Sequence, residues 1–458
     1  MTSAPIRSLV MLIALFFLWG FITVLNDVLV PHWKQLFELS YTESLLVQFC
    51  FFGAYFIGSL LYSIISIRTG DPIRRIGYKR GMVYGLLLSA AGCALFAPAS
   101  LLHSYPAHLG ALFVLGLGFT LLQIAANPFM AIIGPPEGAS SRLNLAQAFN
   151  SLGTTLAPLI GGALIFSTAT PEAAVRAPYL VLAGILAGIA LLVRFTHLPT
   201  PHAEDIRSDR NVLRHPPLRR GMAAIFCYVG AEVAIGSLFI NFVGLPSVLG
   251  LPEETAKHFL SLYWGGAMTG RFLGAIALSG QLPLPRRITL MLAVSAAMFT
   301  LLYSLNQTGG IVLDDMLPLI GIMLLNMAAF LLAGPRPARA LGLFSLVAIT
   351  LLAVVIVRNG PLAMWALIAI GLFNSIMWSN IFTLAIDGLG DRTAQGSSLL
   401  VMMILGGALV PPVQGWVIER LSPLTSPSIA FHSSFVVPLL CYLYLAWYGF
   451  RGARSKAA

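Results

Sequence analysis

Charge is what this chain has least of. Only 10% of its 458 residues are charged, while 58% are hydrophobic; a soluble domain carries about 25% charged residues. So little polar surface cannot coat a water-soluble globule. The mean hydropathy is +0.86, and apolar runs of roughly 20 residues, the length that crosses a bilayer core as a helix, recur from end to end. A soluble enzyme, a nucleic-acid-binding module and a secreted disulfide scaffold are excluded. Cysteine is equally sparse: Cys50, Cys93, Cys227 and Cys441 lie scattered in apolar segments without C-x-x-C spacing, as small core residues rather than metal ligands or a redox pair. There is no H-E-x-x-H, and the eight histidines fall in loops or near span ends. Neither enzymatic activity nor a cofactor is expected. The first apolar run holds Asn26 and Asp27 and lacks an A-x-A site, so it reads as a membrane helix and not a removed leader.

What is there is a succession of apolar segments. They predict an all-α polytopic membrane protein of about 14 transmembrane helices, at 8–30, 44–67, 77–99, 107–133, 143–167, 177–196, 220–244, 257–280, 287–305, 313–333, 338–357, 361–386, 396–419 and 428–450. The most charged stretch, 197–219, separates the first six from the last eight as a linker between halves 1–196 and 220–458. With the N-terminus in the cytoplasm, 21 of the 27 basic residues fall on inside segments, five fall outside, and Arg271 lies within a span. The positive-inside rule then puts both termini in the cytoplasm. It accounts for the net charge of +10 as topology, with no nucleic-acid partner.

An internal repeat sharpens this plan. Residues 118–162 align with 371–415 at a constant offset of 253, through Gly118/Gly371, Asn127/Asn380, Phe129/Phe382, Gly153/Gly406, Leu156/Leu409, Pro158/Pro411 and Gly162/Gly415. Gly53-Ala54 and Gly266-Ala267 align at an offset of 213. The offset grows by the length of about one helical hairpin. Two parallel six-helix halves are therefore expected, with an extra hairpin at about 287–333 in the second. Parallel repeats joined by a linker are the plan of the major facilitator superfamily, in which substrate binds near the midplane between the halves. The loop G-D-P-I-R-R-I-G-Y-K-R (70–80) resembles that superfamily's G-x-x-x-D-R-x-G-R-R motif, with Arg74 at the acidic position.

Cost decides which polar residues deserve notice. An ionisable group at the centre of a membrane helix costs roughly 2.5–3.5 kcal/mol on insertion scales, so it usually has a functional reason. Of the 17 acids, fifteen fall in loops or at span ends, and Asp27 and Glu232 remain within spans. Either can bind a coupling cation: a proton, or, with neighbouring amide oxygens, a sodium ion at Asp27. A static ion pair is the structural alternative. The amides come next: Asn26, Gln48, Gln123, Asn127, Gln147 and Asn150 in the first half, Asn374 and Asn380 in the second. An amide donates and accepts, which suits a neutral polyhydroxylated substrate. An anion would call for several buried arginines. Asn and Gln can also simply bridge helices. Trp19 and Trp378 lie inside spans, where an aromatic face can stack on a sugar ring or merely pack.

The strings W-G-F-I-T-V-L-N-D-V-L-V-P-H, Y-T-E-S-L-L-V-Q-F-C-F-F-G-A-Y-F, A-A-N-P, R-L-N-L-A-Q-A-F-N-S, Y-V-G-A-E, G-L-F-N-S-I-M-W-S-N-I-F-T-L-A-I and Q-G-S-S-L-L-V-M-M-I-L-G-G-A-L-V-P-P run through nearly the whole chain. Together they resemble the fucose/glucose–galactose branch of the major facilitator superfamily. The resemblance implies sugar:cation symport across a bacterial inner membrane, with proton- and sodium-coupled relatives. Asp27 matches the aspartate of the L-N-D motif. The glutamate of the fucose carriers' L-E-T-A-A-N-P is Gln123 here, as in the glucose/galactose branch, whose Y-V-G-A-E acid matches Glu232. The fucose carriers' tryptophan matches Trp19, but their N-N pair is Thr23-Val24, and a tyrosine of theirs falls at Trp378. A hexose such as glucose or galactose is thereby favoured over fucose, carried by a monomer. The alternatives are a uniporter, a symporter of another neutral solute, or a non-transporting sugar sensor. The short tail R-G-A-R-S-K-A-A argues against the sensor.

Overall fold

The computed structural model describes residues 6–38, 41–166, 171–196, 198, 212–307 and 311–453, apart from the side chains of 6–7, 25–36, 41–45, 48, 158–159, 161–166 and 171–175. Asn26, Asp27 and Gln48 thus lie, as side chains, outside the described residues, as does most of the 197–219 linker. The regular secondary structure of the described residues is all helical, with no strand among them. The first helices are α1 (Ile6–Leu36), α2 (Tyr41–Thr69), the short α3 (Pro72–Ile76), α4 (Tyr78–Leu101), α5 (Tyr105–Ile132), α6 (Ala139–Phe166) and α7 (Pro171–Phe195). Then come α8 (Pro216–Val243), α9 (Glu253–Ala277), α10 (Leu284–Asn306), α11 (Leu313–Ala333), α12 (Pro337–Val357), α13 (Pro361–Asn374), α14 (Met377–Ile386), α15 (Thr393–Met402), α16 (Gly406–Leu421), α17 (Pro427–Ser434) and α18 (Val436–Trp447). Among the described residues, 11 helices are long and apolar enough to cross a membrane, and Ser8–Val24 adds a shorter apolar one. Their outer faces carry exposed apolar side chains such as Ile65, Ile67, Leu88 and Leu192, as expected of surfaces solvated by lipid.

Three segments that read as single spans are broken. The 361–386 run divides into α13 and α14 at Ser375-Ile376, and the 396–419 run into α15 and α16 around a tight turn at Met403–Leu405. The 428–450 run divides after Ser434 into α17 and α18. An unbroken apolar sequence hides such breaks. They are tolerated at membrane depth where neighbouring groups satisfy the freed backbone: Arg271 Nε donates to the Ser375 carbonyl at 3.3 Å.

The chain divides into two compact units. The first comprises Met1–Pro136, Phe149–Arg214 and Ile386–Met403; the second comprises Glu137–Ala148, His215–Ala385 and Ile404–Ala458. In the first, α4 packs against α5 and α7, and α15 packs against α2 and α5. In the second, α12 packs against α13 and α18, and α8 packs against α16 and α18. The start of α6 belongs to the second unit through bonds to it: Ser140 to Thr383 at 2.7 Å, Ser141 to the Ala275 carbonyl at 2.5 Å, and Asn144 to Asn380 at 3.3 Å. The start of α15 belongs to the first, where Ser398 meets Ser63 at 2.9 Å.

The glycine pair of the repeat has the same structural job in each unit. A Cβ on Gly153 would strike the Phe17 carbonyl of α1, and one on Gly406 would strike the Phe226 carbonyl of α8. Only a bare backbone lets those helices approach so closely, which is how small residues hold membrane helices together.

The 70–80 loop is built with its charges rearranged. Asp71 caps α3, its Oδ1 accepting from Ile73 N at 2.9 Å and from the Tyr62 hydroxyl. The backbone N–H groups of Arg74 and Gln395 also donate to this carboxyl. Burial pushes its pKa above the usual carboxylate range, with those hydrogen bonds opposing. Arg74, at the motif's acidic position, pairs with Asp391 at 2.6 Å.

Candidate functional site

Two polar clusters stand out, one in each unit. In the first unit the hub is the Tyr55 hydroxyl on α2. Trp19 Nε1 on α1 donates to it at 3.3 Å, and the side chains of Thr23 and Gln123 hydrogen-bond to it as well. Phe51 packs edge-on against Tyr55, with ring centroids 5.0 Å apart, and Phe16 lies against Trp19 at 5.5 Å. An aromatic wall thus borders a polar edge.

Gln123 and Asn127 stand one turn apart on α5, both essentially fully buried. Gln123 Oε1 and both amide atoms of Asn127 have no hydrogen-bond partner. Each such buried atom costs about 1–3 kcal/mol. Three within one helical turn is a standing cost that a hydroxylated ligand would relieve. Gln147 on α6, in the second unit, is buried and has partners. Asn150 is a helix tie: its Nδ2 donates to the Phe16 carbonyl at 2.9 Å, beside the Gly20 and Gly153 crossing.

In the second unit the hub is Glu232 on α8, buried but for 8% of its surface. The Tyr228 hydroxyl, one turn earlier, donates to its Oε1 at 2.7 Å. The Arg271 guanidinium on α9 stands 3.7 Å from the same oxygen. Tyr263 donates to the Glu232 carbonyl at 3.0 Å and itself accepts from Asn374 Nδ2 at 3.0 Å. Tyr442 of α18 donates to Asn374 Oδ1 at 2.5 Å. A continuous hydrogen-bonded chain therefore runs from α18 through α13 and α9 to the backbone carbonyl of Glu232 on α8. Two unit charges about 4 Å apart attract by roughly 4 kcal/mol at an effective dielectric of 20, so the pair offsets much of the cost of burying either partner.

The remaining residues singled out by sequence sit apart from this hub. Trp378 stacks on Phe382, ring centroids 5.0 Å apart and planes at 13°. Asn380 has both ends of its amide engaged, Nδ2 on the Pro337 carbonyl at 3.2 Å and Oδ1 on Asn144. Sequence reasoning missed Tyr55, Tyr228, Tyr263 and Tyr442, because a tyrosine in an apolar run reads as packing. For Tyr228 a signal exists: it precedes Glu232 by four residues and so shares its helix face. Arg271 was visible as the single in-span basic residue, and a buried acid and a buried base are expected to pair.

Residues 9–404 match the family profile of the Major Facilitator Superfamily. The chain is 42% identical to the glucose/galactose transporter of Brucella abortus, over 98% of this chain and 94% of that one. It is 30% identical to the L-fucose-proton symporter of Escherichia coli, over 94% and 90%. The crystal structure of a Major Facilitator Superfamily transporter, FucP, in the outward conformation superposes with a TM-score of 0.75 at 26% identity, over 98% of this chain and 99% of that one. This chain belongs to the major facilitator superfamily: it is a multi-span membrane transporter and not an enzyme.

Proposed function

We propose that the protein is a cation-coupled hexose symporter working by alternating access, with glucose or galactose as substrate in preference to fucose. The observation that carries the reading is the buried, unpartnered amide pair Gln123 and Asn127 beside the Trp19–Tyr55 wall. Donors and acceptors meet the sugar's hydroxyls, and the aromatic edge meets its C–H face. Asn26, Gln48, Gln147 and Asn150 complete the first-half set from sequence, and Asn374, Trp378 and Asn380 are its second-half members. Asp27 and Glu232 are the coupling carboxylates, one in each half. The similarity to a glucose/galactose transporter and to an L-fucose-proton symporter supports a sugar substrate.

The chain consists of halves 1–196 and 220–458 joined by the 197–219 linker. It crosses the inner membrane about 14 times with both termini cytoplasmic and acts as a monomer. The hairpin α10–α11 is the insertion. In support, α12 packs on α13 and α18 as α4 packs on α5 and α7, the packing expected of an α12 that is the repeat partner of α4 and an α10–α11 that has none. Only 11% of the apolar window of α10 is buried, against 83% for the Pro361–Ile386 run, as befits a peripheral addition.

The test is uptake of radiolabelled glucose and galactose into proteoliposomes, with unlabelled fucose as competitor. Uphill uptake of either hexose under an imposed ion gradient, weakly inhibited by fucose, is the expected result. Downhill uptake alone under every gradient would make the protein a uniporter, and no uptake by folded protein would end the hexose assignment.

A further inference from the structure

The surroundings of Glu232 select among cations. The titratable and charged groups around Glu232 are Tyr228 on its own helix and Arg271 on α9, which meet its carboxylate, and Tyr263 on α9 with Tyr442 on α18 through Asn374, which meet its backbone carbonyl. Those that reach the carboxyl oxygens are donors: the Tyr228 O–H and the Arg271 guanidinium. The backbone carbonyl of Glu232 itself accepts from Tyr263. A hard metal cation needs several oxygen atoms turned toward it. It would also have to settle beside a guanidinium that cannot lose its charge. A proton needs a single carboxyl oxygen and brings no further ligand demand.

We propose that Arg271 is the ion-specificity residue of the transporter: its fixed charge reserves Glu232 for a proton and excludes sodium from that site. The proposal rests on the reading of Glu232 as a coupling group. A proton from the water on one face adds to a Glu232 oxygen, and the same O–H bond breaks to release it on the other face. While Glu232 is protonated, the guanidinium keeps its bond to the Ser375 carbonyl at the α13–α14 break. Its charge therefore has a resting place when the carboxylate is neutral, and the break in the 361–386 run gains a role as the acceptor that holds it.

The experiment uses full-length protein in proteoliposomes, comparing wild type, Glu232→Gln, Arg271→Gln and the doubly substituted protein, with galactose as the probe. Folding of each is checked by its unfolding transition in detergent. For one proton per sugar, a gradient of about one pH unit supports roughly tenfold accumulation. In the wild type this accumulation is expected under a proton gradient, is absent under a sodium gradient, and is unaffected by external sodium. In Glu232→Gln and in the doubly substituted protein the accumulation ratio is expected to fall to about one. In Arg271→Gln, external sodium is expected to depress proton-driven uptake several-fold, a response that loss of packing alone would not produce.

Sodium-driven accumulation by the wild type would overturn the proposal and leave symport standing. So would proton-driven accumulation that survives in the charge-neutral double variant, which keeps the inference testable even where Arg271→Gln fails to fold. Indifference of a folded Arg271→Gln to sodium would also overturn it. Accumulation under neither gradient, with downhill uptake intact, would remove both the proposal and the symport reading.

Discussion

Replacing Glu232 by Gln removes one charge from a buried pair and leaves the other in place. The two side chains are 11% and 15% exposed, and the closest approach is 3.7 Å. Removing one partner of a buried pair costs about 3–5 kcal/mol, because the survivor is left uncompensated. The attraction forfeited, roughly 4 kcal/mol at an effective dielectric of 20, has the same size. Arg271→Gln should cost a similar amount. Both substitutions together leave two neutral amides that still fit among Tyr228, Tyr263 and the Ser375 carbonyl. The double variant should therefore recover most of the loss, giving a coupling of about 3 kcal/mol in a double-mutant cycle. Unfolding in detergent, followed by tryptophan fluorescence, measures it; the chain carries seven tryptophans. Single-variant losses that add to within about 0.5 kcal/mol would mean that the two groups do not act as a pair, and the reasoning about the second unit would fail.

Other expectations concern the first unit and the helix crossings. Asn127→Leu removes two buried amide atoms that have no partner, so it should stabilise the purified protein by about 1–3 kcal/mol while transport falls at least about tenfold, a loss of 1.4 kcal/mol in binding; melting and uptake on the same preparation check both. Gly153→Val forces a side chain into the Phe17 carbonyl and should cost about 1–3 kcal/mol, as should Gly406→Val against Phe226, both read from the unfolding transition. Burial raises the Asp71 carboxyl above its ordinary pKa. An acid so raised binds its proton more tightly in the folded state, so its contribution to stability grows as pH falls and is lost as pH rises. The wild type should accordingly gain on Asp71→Asn as pH is lowered from about 7 to 5; a difference that shrinks over that range would contradict the assignment.

Much of this architecture is legible in the sequence, for a physical reason. Lipid demands uninterrupted apolar length, and the apolar runs coincide with helices. The glycine repeat is legible because a backbone-to-backbone crossing admits no other residue, and Gly153 and Gly406 show that crossing in each unit. Glu232 stood out because its insertion cost is high. What stayed hidden depends on tertiary neighbours. The break at Ser375 lies in a run with no local signal, since what stabilises it is an arginine about a hundred positions away in the chain. The amides could be picked out by type, but not divided into those engaged by other helices, such as Asn380 and Asn150, and those left open, such as Asn127. The tyrosines escaped because their rings satisfy the apolar pattern while their hydroxyls carry the network. The assignment of the first turns of α6 and α15 to the two compact units likewise follows from side-chain bonds that no periodicity encodes.

The account stands or falls on whether this chain moves a neutral sugar through the site around Tyr55, Gln123 and Asn127. Counterflow isolates that step. Proteoliposomes loaded with unlabelled galactose are diluted into a trace of labelled galactose, with no ion gradient imposed. The account predicts a transient overshoot of label inside for the wild type, abolished in Asn127→Leu. No overshoot from folded wild-type protein with either glucose or galactose, or an overshoot undiminished by Asn127→Leu, would contradict it.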